Sequence, residues 1–293
     1  MALVDSARIS PVVLIRGAGE MASAIAWRLH MANFHRIIMT DLDAPLCVRR
    51  TVSFCTALQE GRARVEGVEA SAVRTVDALE PTWREGRIAI VPLSRWDDFA
   101  ALAVDIVIDA ILAKRNIATH VSDAPLVVAL GPGFVTGRDC HFVIETNRGH
   151  HLGRIVEQGG AEPNTGIPGD IAGHTRARVF RSPADGAFES ERKIGDRIEK
   201  GDCIGYVAGA AINAEIGGIL RGLLRPRTWV AKGVKLGDID PRGRLDYCDT
   251  ISDKARAIAG SVLECVMRRY NRTNCLIGPT GDLRRPARAA TSL

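Results

Sequence analysis

The chain has few aromatic residues, no clustered cysteines and no long apolar run, and each lack excludes something. Only 5% of its 293 residues are Phe, Trp or Tyr. That is too sparse for the stacking platform that single-stranded nucleic acid requires, so no nucleic-acid partner is expected. Seven cysteines stand at 47, 55, 140, 203, 248, 265 and 275 with no C-x-x-C spacing. An odd, scattered set reads as reduced thiols rather than a disulfide frame or a zinc site, and no metal centre is expected. No apolar run approaches the ~20 residues of a membrane span. Met1 to Ser10 carries no basic-plus-apolar signal pattern. The expectation is a cytoplasmic protein with no membrane partner. The net charge of +5 is mild, and Arg284, Arg285 and Arg288 supply much of it.

What is present is an ordinary globular composition, 46% hydrophobic and 25% charged. The length suits two domains with sizeable cores. The most informative stretch is Val12-Val13-Leu14-Ile15-Arg16-Gly17-Ala18-Gly19-Glu20-Met21-Ala22-Ser23. It places G-x-G-x-x-A where a short apolar strand enters a helix. In a nucleotide-binding turn the first glycine allows the tight bend and the second admits a phosphate to the backbone. The final small residue lets the helix approach the sheet. Gly17, Ala18, Gly19, Glu20 and Met21 are therefore candidate cofactor contacts. Asp41, which ends a second strand about 20 residues on, fits a ribose 2′-OH contact. Arg49 and Arg50 follow it as candidate phosphate partners. Glu20 argues against plain dinucleotide binding, because its anion and a pyrophosphate want the same helix N-terminus.

Residues 11–145 alternate strand and helix signals, with strands read at 11–16, 36–40, 87–91, 104–109, 126–130 and 141–145. A hairpin across Glu66-Gly67 is read in the insertion after the second strand. This pattern predicts a Rossmann-like doubly wound parallel sheet over residues 8–158, with ligands at the carboxyl ends of its strands. Glu145-Thr146-Asn147-Arg148-Gly149-His150-His151 follows the last strand. Arg148 suits an oxyanion, and Glu145, His150, His151 and Asp109 are candidate proton movers. The competing reading is an internal ion pair with satisfied histidines. Cys47 sits in the same region as Arg49 and Arg50, with no catalytic partner evident.

A Gly/Pro-rich connector spans 159–173. Beyond it the chain repeats at an offset of 32 residues: Gly186 matches Gly218, and Lys200-Gly201 matches Lys232-Gly233. The order resembles biotinyl and lipoyl carrier domains, so 174–245 is expected to be a small barrel-sandwich-hybrid β domain. Gly201 to Val230 holds no lysine, which excludes a swinging-arm role there. A C-terminal helix is expected over 249–271, capped by Ser252, and a flexible tail over 280–293.

Several segments in combination resemble one bacterial family. They are Ile15 to Glu20, Arg49-Arg50-Thr51-Val52-Ser53-Phe54, Gly131-Pro132-Gly133-Phe134, Glu145 to Arg154, and Ser252 to Gly260. Together they are similar to the YqeB-type family, named as selenium-dependent molybdenum hydroxylase system proteins. Two positions depart from the family's pattern, where Asp is usual at Glu20 and Met is common at Asn147. The resemblance implies an accessory role in maturation or cofactor handling of selenium-dependent molybdenum hydroxylases. It implies a molybdenum hydroxylase or its maturation machinery as partner. The cofactor expected is NAD(P) or another nucleotide-bearing cofactor, a molybdenum-cofactor-related one included. Two alternatives stand beside this: an NAD(P)-dependent oxidoreductase on a small substrate, and a non-catalytic nucleotide-sensing scaffold. A homo-oligomer is compatible with each.

Overall fold

The protein, seen here as a computed structural model, is described over residues 10–271. The first part contains β1 (Val13–Arg16), α1 (Glu20–Met31), β2 (Ile37–Asp41), α2 (Ala57–Glu60), β3 (Arg62–Val65), β4 (Val68–Ala72), α3 (Leu79–Arg84), β5 (Ile88–Pro92), β6 (Ile106–Asp109), β7 (Leu126–Leu130), β8 (Phe142–Ile144) and β9 (Ile155–Val156). Nine strands form one sheet in the order β3-β4-β5-β2-β1-β6-β7-β8-β9. The strands β4 to β8 in that order run parallel, and the edges β3 and β9 run antiparallel. The central strands are continuous apolar runs because both faces are covered. Val13, Ile15, Ile37 and Met39 enter one core, while Leu14, Ile38, Ala89 and Val91 enter the other.

The expected Rossmann-like doubly wound fold is corrected here: the sheet is mixed, and most of its crossovers are not helices. Only the β1-to-β2 connection is a long helix. A 3-10 segment, Leu93–Phe99, joins β5 to β6, and loops join β6 to β7 and β7 to β8. Leu112 and Lys114 adopt positive φ of 61° in the loop after β6, a conformation incompatible with a regular crossover helix. The second long helix on the sheet comes from the far end of the chain. Ser252 caps it, its hydroxyl accepting from the Ala255 amide at 3.3 Å. Ile258, Val262 and Val266 of that segment are fully buried in the core that also holds Ala22, Ile25 and Leu29. Each such aliphatic side chain contributes about 1.5–3 kcal/mol by burial.

The second part contains β10 (Val179–Arg181), β11 (Gly186–Glu189), β12 (Arg197–Ile198), β13 (Cys203–Val207), β14 (Ala210–Asn213), β15 (Gly218–Leu223), β16 (Trp229–Val230) and β17 (Lys235–Asp240), followed by α4 (Asp253–Tyr270). It makes two four-stranded antiparallel sheets, β10-β17-β15-β12 and β14-β13-β11-β16. The expectation of a biotinyl/lipoyl-like barrel-sandwich hybrid is corrected to this pair of sheets. One strand, β10, comes from before the repeat. The sheets are also sewn into the first part rather than appended to it. The Leu223 amide donates to the Val48 carbonyl at 2.7 Å, and Arg50 donates to the Leu223 carbonyl at 2.8 Å. The repeat itself persists locally: Gly186 and Gly218 share a φ of 150°, and the short strands β12 and β16 each pair with the other copy's first strand.

The tail 280–293, with Arg284, Arg285 and Arg288, and Cys275 lie outside the described residues. No helix among the described residues is long and apolar enough to cross a membrane.

Candidate functional site

One cleft of about 910 Å³ opens at the carboxyl ends of the parallel strands, and both parts of the chain wall it. Gly17, Gly19, Glu20 and Met21 bring the glycine turn to it, and Asp109 ends β6 there. Glu145 and Arg148 lie in its wall after β8. Across from these, β15 and β17 contribute Arg221, Lys235 and Asp238, and the start of α4 contributes Lys254.

The two glycines do different jobs. Gly17 has φ +97°, and a Cβ there would sit 2.9 Å from the Ala110 carbonyl oxygen, so the backbone itself demands glycine. Gly19 meets nothing within 4 Å. It caps α1 with no side-chain hydrogen bond. The helix N-terminus is therefore left without a side-chain cap, the arrangement that can accommodate an anion. Glu20 stands at that helix end. One carboxylate oxygen lies 3.8 Å from Arg49 Nε, and the other is buried with no hydrogen-bond partner among the described residues.

Several expected ligand contacts have internal partners instead. Asp41 Oδ2 accepts from the Ala18 amide at 2.7 Å and Oδ1 accepts from the Leu42 amide at 2.8 Å. Its carboxyl therefore closes the turn while lining the cleft, and burial raises its pKa against those two bonds. Arg49 is buried and donates to the carbonyls of Arg221, Tyr247 and Thr250 at 3.0–3.2 Å. It binds the second part of the chain, not a phosphate. Glu145 is buried, its oxygens accepting from the Asn147 and Glu162 amides at 2.6 and 2.7 Å. It clamps two loops. Arg148 lines the cleft, but its fork meets Asp253 with both bonds at 2.9 Å. That partner holds the Asp253 carboxyl down at about 2.

His150 and His151 are exposed on the turn beyond Arg148, in a separate shallow depression outside the main cleft. The bend at Gly149, φ 139°, carries the chain away from the strand ends. The structure therefore separates both histidines from Gly17 and Gly19. Asp109 does face the cleft. Its Oδ2 accepts from the Thr119 hydroxyl at 2.6 Å, and burial raises its pKa.

The charged residues of β15, β17 and α4 were missed by sequence reasoning. Asp238 is 1% exposed and bonds Arg221 at 2.8 Å and Arg178 at 3.2 Å, with Lys235 Nζ at 3.9 Å. Burial alone would raise its pKa, but Lys235 and Arg221 outweigh burial and hold it well below the usual carboxylate range. Desolvation pushes the ammonium groups of Lys235 and Lys254 down. The signal was available: Arg221 interrupts Gly-Ile-Leu-Arg-Gly-Leu, and Lys235, Asp238 and Asp240 share a strand with Leu236 and Ile239. Charges inside short apolar strands need partners, and partnered buried charges concentrate at sites.

The assembled cleft brings together the α1 N-terminus, Lys235 and Lys254 as donors for an anionic ligand, with the Glu20 carboxylate near enough to act on both lysines. Among the described residues, no group of three or more His, Cys, Asp or Glu is placed to hold a metal ion.

Comparison with known proteins gives one sequence relative and several distant structures. The chain is 46% identical over 260 residues to the Escherichia coli (strain K12) protein described as "Uncharacterized protein YqeB". The match covers 87% of this chain and 47% of that protein, so the chain spans about half the length of the curated relative it matches. This identity supports the YqeB-type resemblance. No family model matches the chain. An ectoine utilization protein, EutE (DoeB) from Ruegeria pomeroyi, is 11% identical with a TM-score of 0.23, covering 78% of this chain and 56% of that one. An aspartoacylase family protein from Mesorhizobium loti is 14% identical with a TM-score of 0.25, covering 80% and 87%. A succinylglutamate desuccinylase/aspartoacylase from Rhodobacter sphaeroides is 12% identical with a TM-score of 0.25, covering 78% and 85%. Scores of this size leave the fold to be described by the chain's own sheet order.

Proposed function

From a YqeB-type chain with one large cleft walled by both of its parts, we propose an accessory protein that handles a phosphate-bearing cofactor for molybdenum hydroxylase maturation. The observation that carries the cofactor half is the pairing of an uncapped, uncrowded α1 N-terminus at Gly19 with Lys235 and Lys254 in the same cleft. A helix end and two desolvated ammonium groups together favour a ligand with more than one negative charge. The hydroxylase half rests on the family resemblance, supported by 46% identity to YqeB.

Cofactor handling is preferred to hydride transfer for two reasons. Asp41 lines the cleft, but its carboxylate already accepts one amide bond on each oxygen, from Ala18 and Leu42, and so serves first to brace the glycine turn. Glu20 opposes a pyrophosphate on the first helical turn, so a single phosphate, which brings less charge against that carboxylate, suits the site better than a dinucleotide bridge. The nucleotide-bearing ligand, NAD(P) included, remains part of the proposal as a class to be tested. Native mass spectrometry of protein purified gently from its own host is the test. A retained phosphate-bearing organic molecule, displaced by inorganic phosphate and lost in Gly19→Val, is the expected result. Protein that emerges with the same ligand in Gly19→Val as in the wild type would remove the site from consideration.

A further inference from the structure

Lysine is scarce in this chain: six of its 39 basic residues are lysine, and the rest are arginine. Lys193, Lys200 and Lys232 are exposed in the second part of the chain, outside the lining of the main cleft. The other three, Lys114, Lys235 and Lys254, all line it. Arginine supplies a permanent charge. What lysine adds is a proton it can release and a nucleophilic amine once it has done so. Lys235 begins β17, and its side chain is 35% exposed. Its Nζ stands 3.9 Å from Asp238 Oδ1, beyond hydrogen-bond reach, and that oxygen has no hydrogen-bond partner among the described residues. Asp238 Oδ2 is shared by Arg221 at 2.8 Å and Arg178 at 3.2 Å, and Arg221 also reaches Asp240 at 3.5 Å. Of the three cations around Asp238, only the lysine can shed its charge. We propose that Lys235 is an amine nucleophile that captures an aldehyde or ketone bearing a phosphate and holds it in the cleft as an imine. The phosphate half rests on the function proposed above; the imine half does not.

The surroundings support that role. Desolvation lowers the pKa of Lys235, and Arg178 and Arg221 add to this against Asp238 and Glu20. An imine-forming lysine needs this kind of setting, part desolvated and beside other cations, together with access. Lys254 is the other cleft lysine near Glu20, but it faces one guanidinium, Arg148, with Glu20, Glu145 and Asp253 opposed. The α1 N-terminus at Gly19 opens on the same cleft, so a phosphate can lodge there while the carbonyl meets Lys235. A protonated imine keeps a cation at Lys235, so capture preserves the anion-binding character of the wall.

The chemistry balances without a further reagent. The uncharged Lys235 amine adds to the carbonyl carbon, forming the C–N bond. A proton passes from that nitrogen to the former carbonyl oxygen, giving a carbinolamine. The hydroxyl then leaves as water, taking the second proton of the nitrogen, and the C=N bond forms. One carbonyl and one amine become one imine and one water, with nothing oxidised or reduced.

Pyridoxal 5′-phosphate is the probe, applied to the full folded chain with cyanoborohydride to trap imines, followed by peptide mapping of all six lysines over time. Lys235 should be labelled about tenfold faster than Lys193, Lys200 and Lys232, the effect of roughly one pKa unit on the amine fraction. Lys235→Arg keeps the cation and should lose that adduct alone, while Lys254→Arg should retain it. Pyridoxal without its phosphate separates the two halves of the proposal. Slower labelling of Lys235 by pyridoxal, with the other lysines unchanged, supports both. Equal labelling by the two aldehydes keeps the imine and removes the phosphate. Three results would overturn the imine: Lys235 labelled no faster than the three exposed lysines, Lys235 labelled no faster than in the urea-unfolded chain, or the preferred adduct found on Lys254. A phosphate-bearing ligand retained by protein that gives one of these results would leave the function proposed above intact.

Discussion

The Asp41 carboxylate holds the Ala18 amide at 2.7 Å and so braces the glycine turn from the end of the neighbouring strand. The same side chain bonds the Leu42 amide. Asp41→Ala removes two charge-assisted bonds and leaves the Ala18 amide buried without its acceptor. The expected cost is about 1–3 kcal/mol of stability, read as a lower midpoint in urea. A ribose-binding carboxylate would instead show its loss as a change in preference between NAD and NADP, with stability kept. The first outcome is the one the two amide bonds predict.

The two glycines of the turn separate folding from binding. Gly17→Ala forces a side chain into the left-handed region and against the Ala110 carbonyl. It should destabilise the protein by at least about 1–2 kcal/mol. Gly19→Val has room and an ordinary φ of −73°. It should fold with a near-normal thermal midpoint and lose the phosphate-bearing ligand in calorimetry. Equal losses of stability in the two variants would mean that Gly19 too is a backbone requirement.

Exposure decides what the loop after β8 contributes. His150→Gln and His151→Gln should leave cleft binding unchanged, since both rings sit outside it. Arg148→Lys keeps the charge and loses the planar fork that grips Asp253. Asp253 is largely exposed, so stability should fall by only about 0–1 kcal/mol. If ligand affinity nevertheless dropped tenfold, Arg148 would be shown to leave Asp253 for the ligand.

Much of the sheet was legible because its strands are apolar on both faces. Ile88-Ala89-Ile90-Val91 and Ile106-Val107-Ile108 have one plausible home, the interior of a parallel sheet. The hairpin was legible in Glu66-Gly67, whose φ values of 42° and 88° suit a tight turn. The crossovers were not legible. Residues 110–118 carry enough Ile, Leu, Ala and Lys to pass for helix, yet positive φ at Leu112 and Lys114 shows tertiary contacts overriding propensity. Nor does local pattern reveal that α4 covers the same face as α1, since that depends on contacts more than 200 residues apart. The site was half legible for the same reason. Gly17, Gly19 and Asp109 announce themselves in the first part, whereas their counterparts Lys235, Asp238 and Lys254 become neighbours only through the stitching of residues 48–51 to β15.

That stitching makes Asp238 the most consequential single charge in the cleft wall. It is essentially inaccessible and faces Arg178, Arg221 and Lys235. Asp238→Asn keeps the shape and removes the anion that Arg178 and Lys235 face, which leaves Asp240, 3.5 Å from Arg221, as the neighbouring carboxylate. Breaking a buried network in this way costs about 3–5 kcal/mol. The pH dependence carries the sign of a depressed carboxyl. The unfolded chain takes up the proton first, near pH ~4, so the stability Asp238 contributes is present above that pH and lost as pH falls toward its folded value. Wild-type protein should therefore lose stability more steeply than Asp238→Asn below pH ~4, with the two curves parallel near neutrality. Urea midpoints measured across that range read the difference directly. A wild-type curve that stayed parallel to the variant's through the acid limb would mean that Asp238 is already neutral in the fold, with Asp240 as the anion beside Arg221.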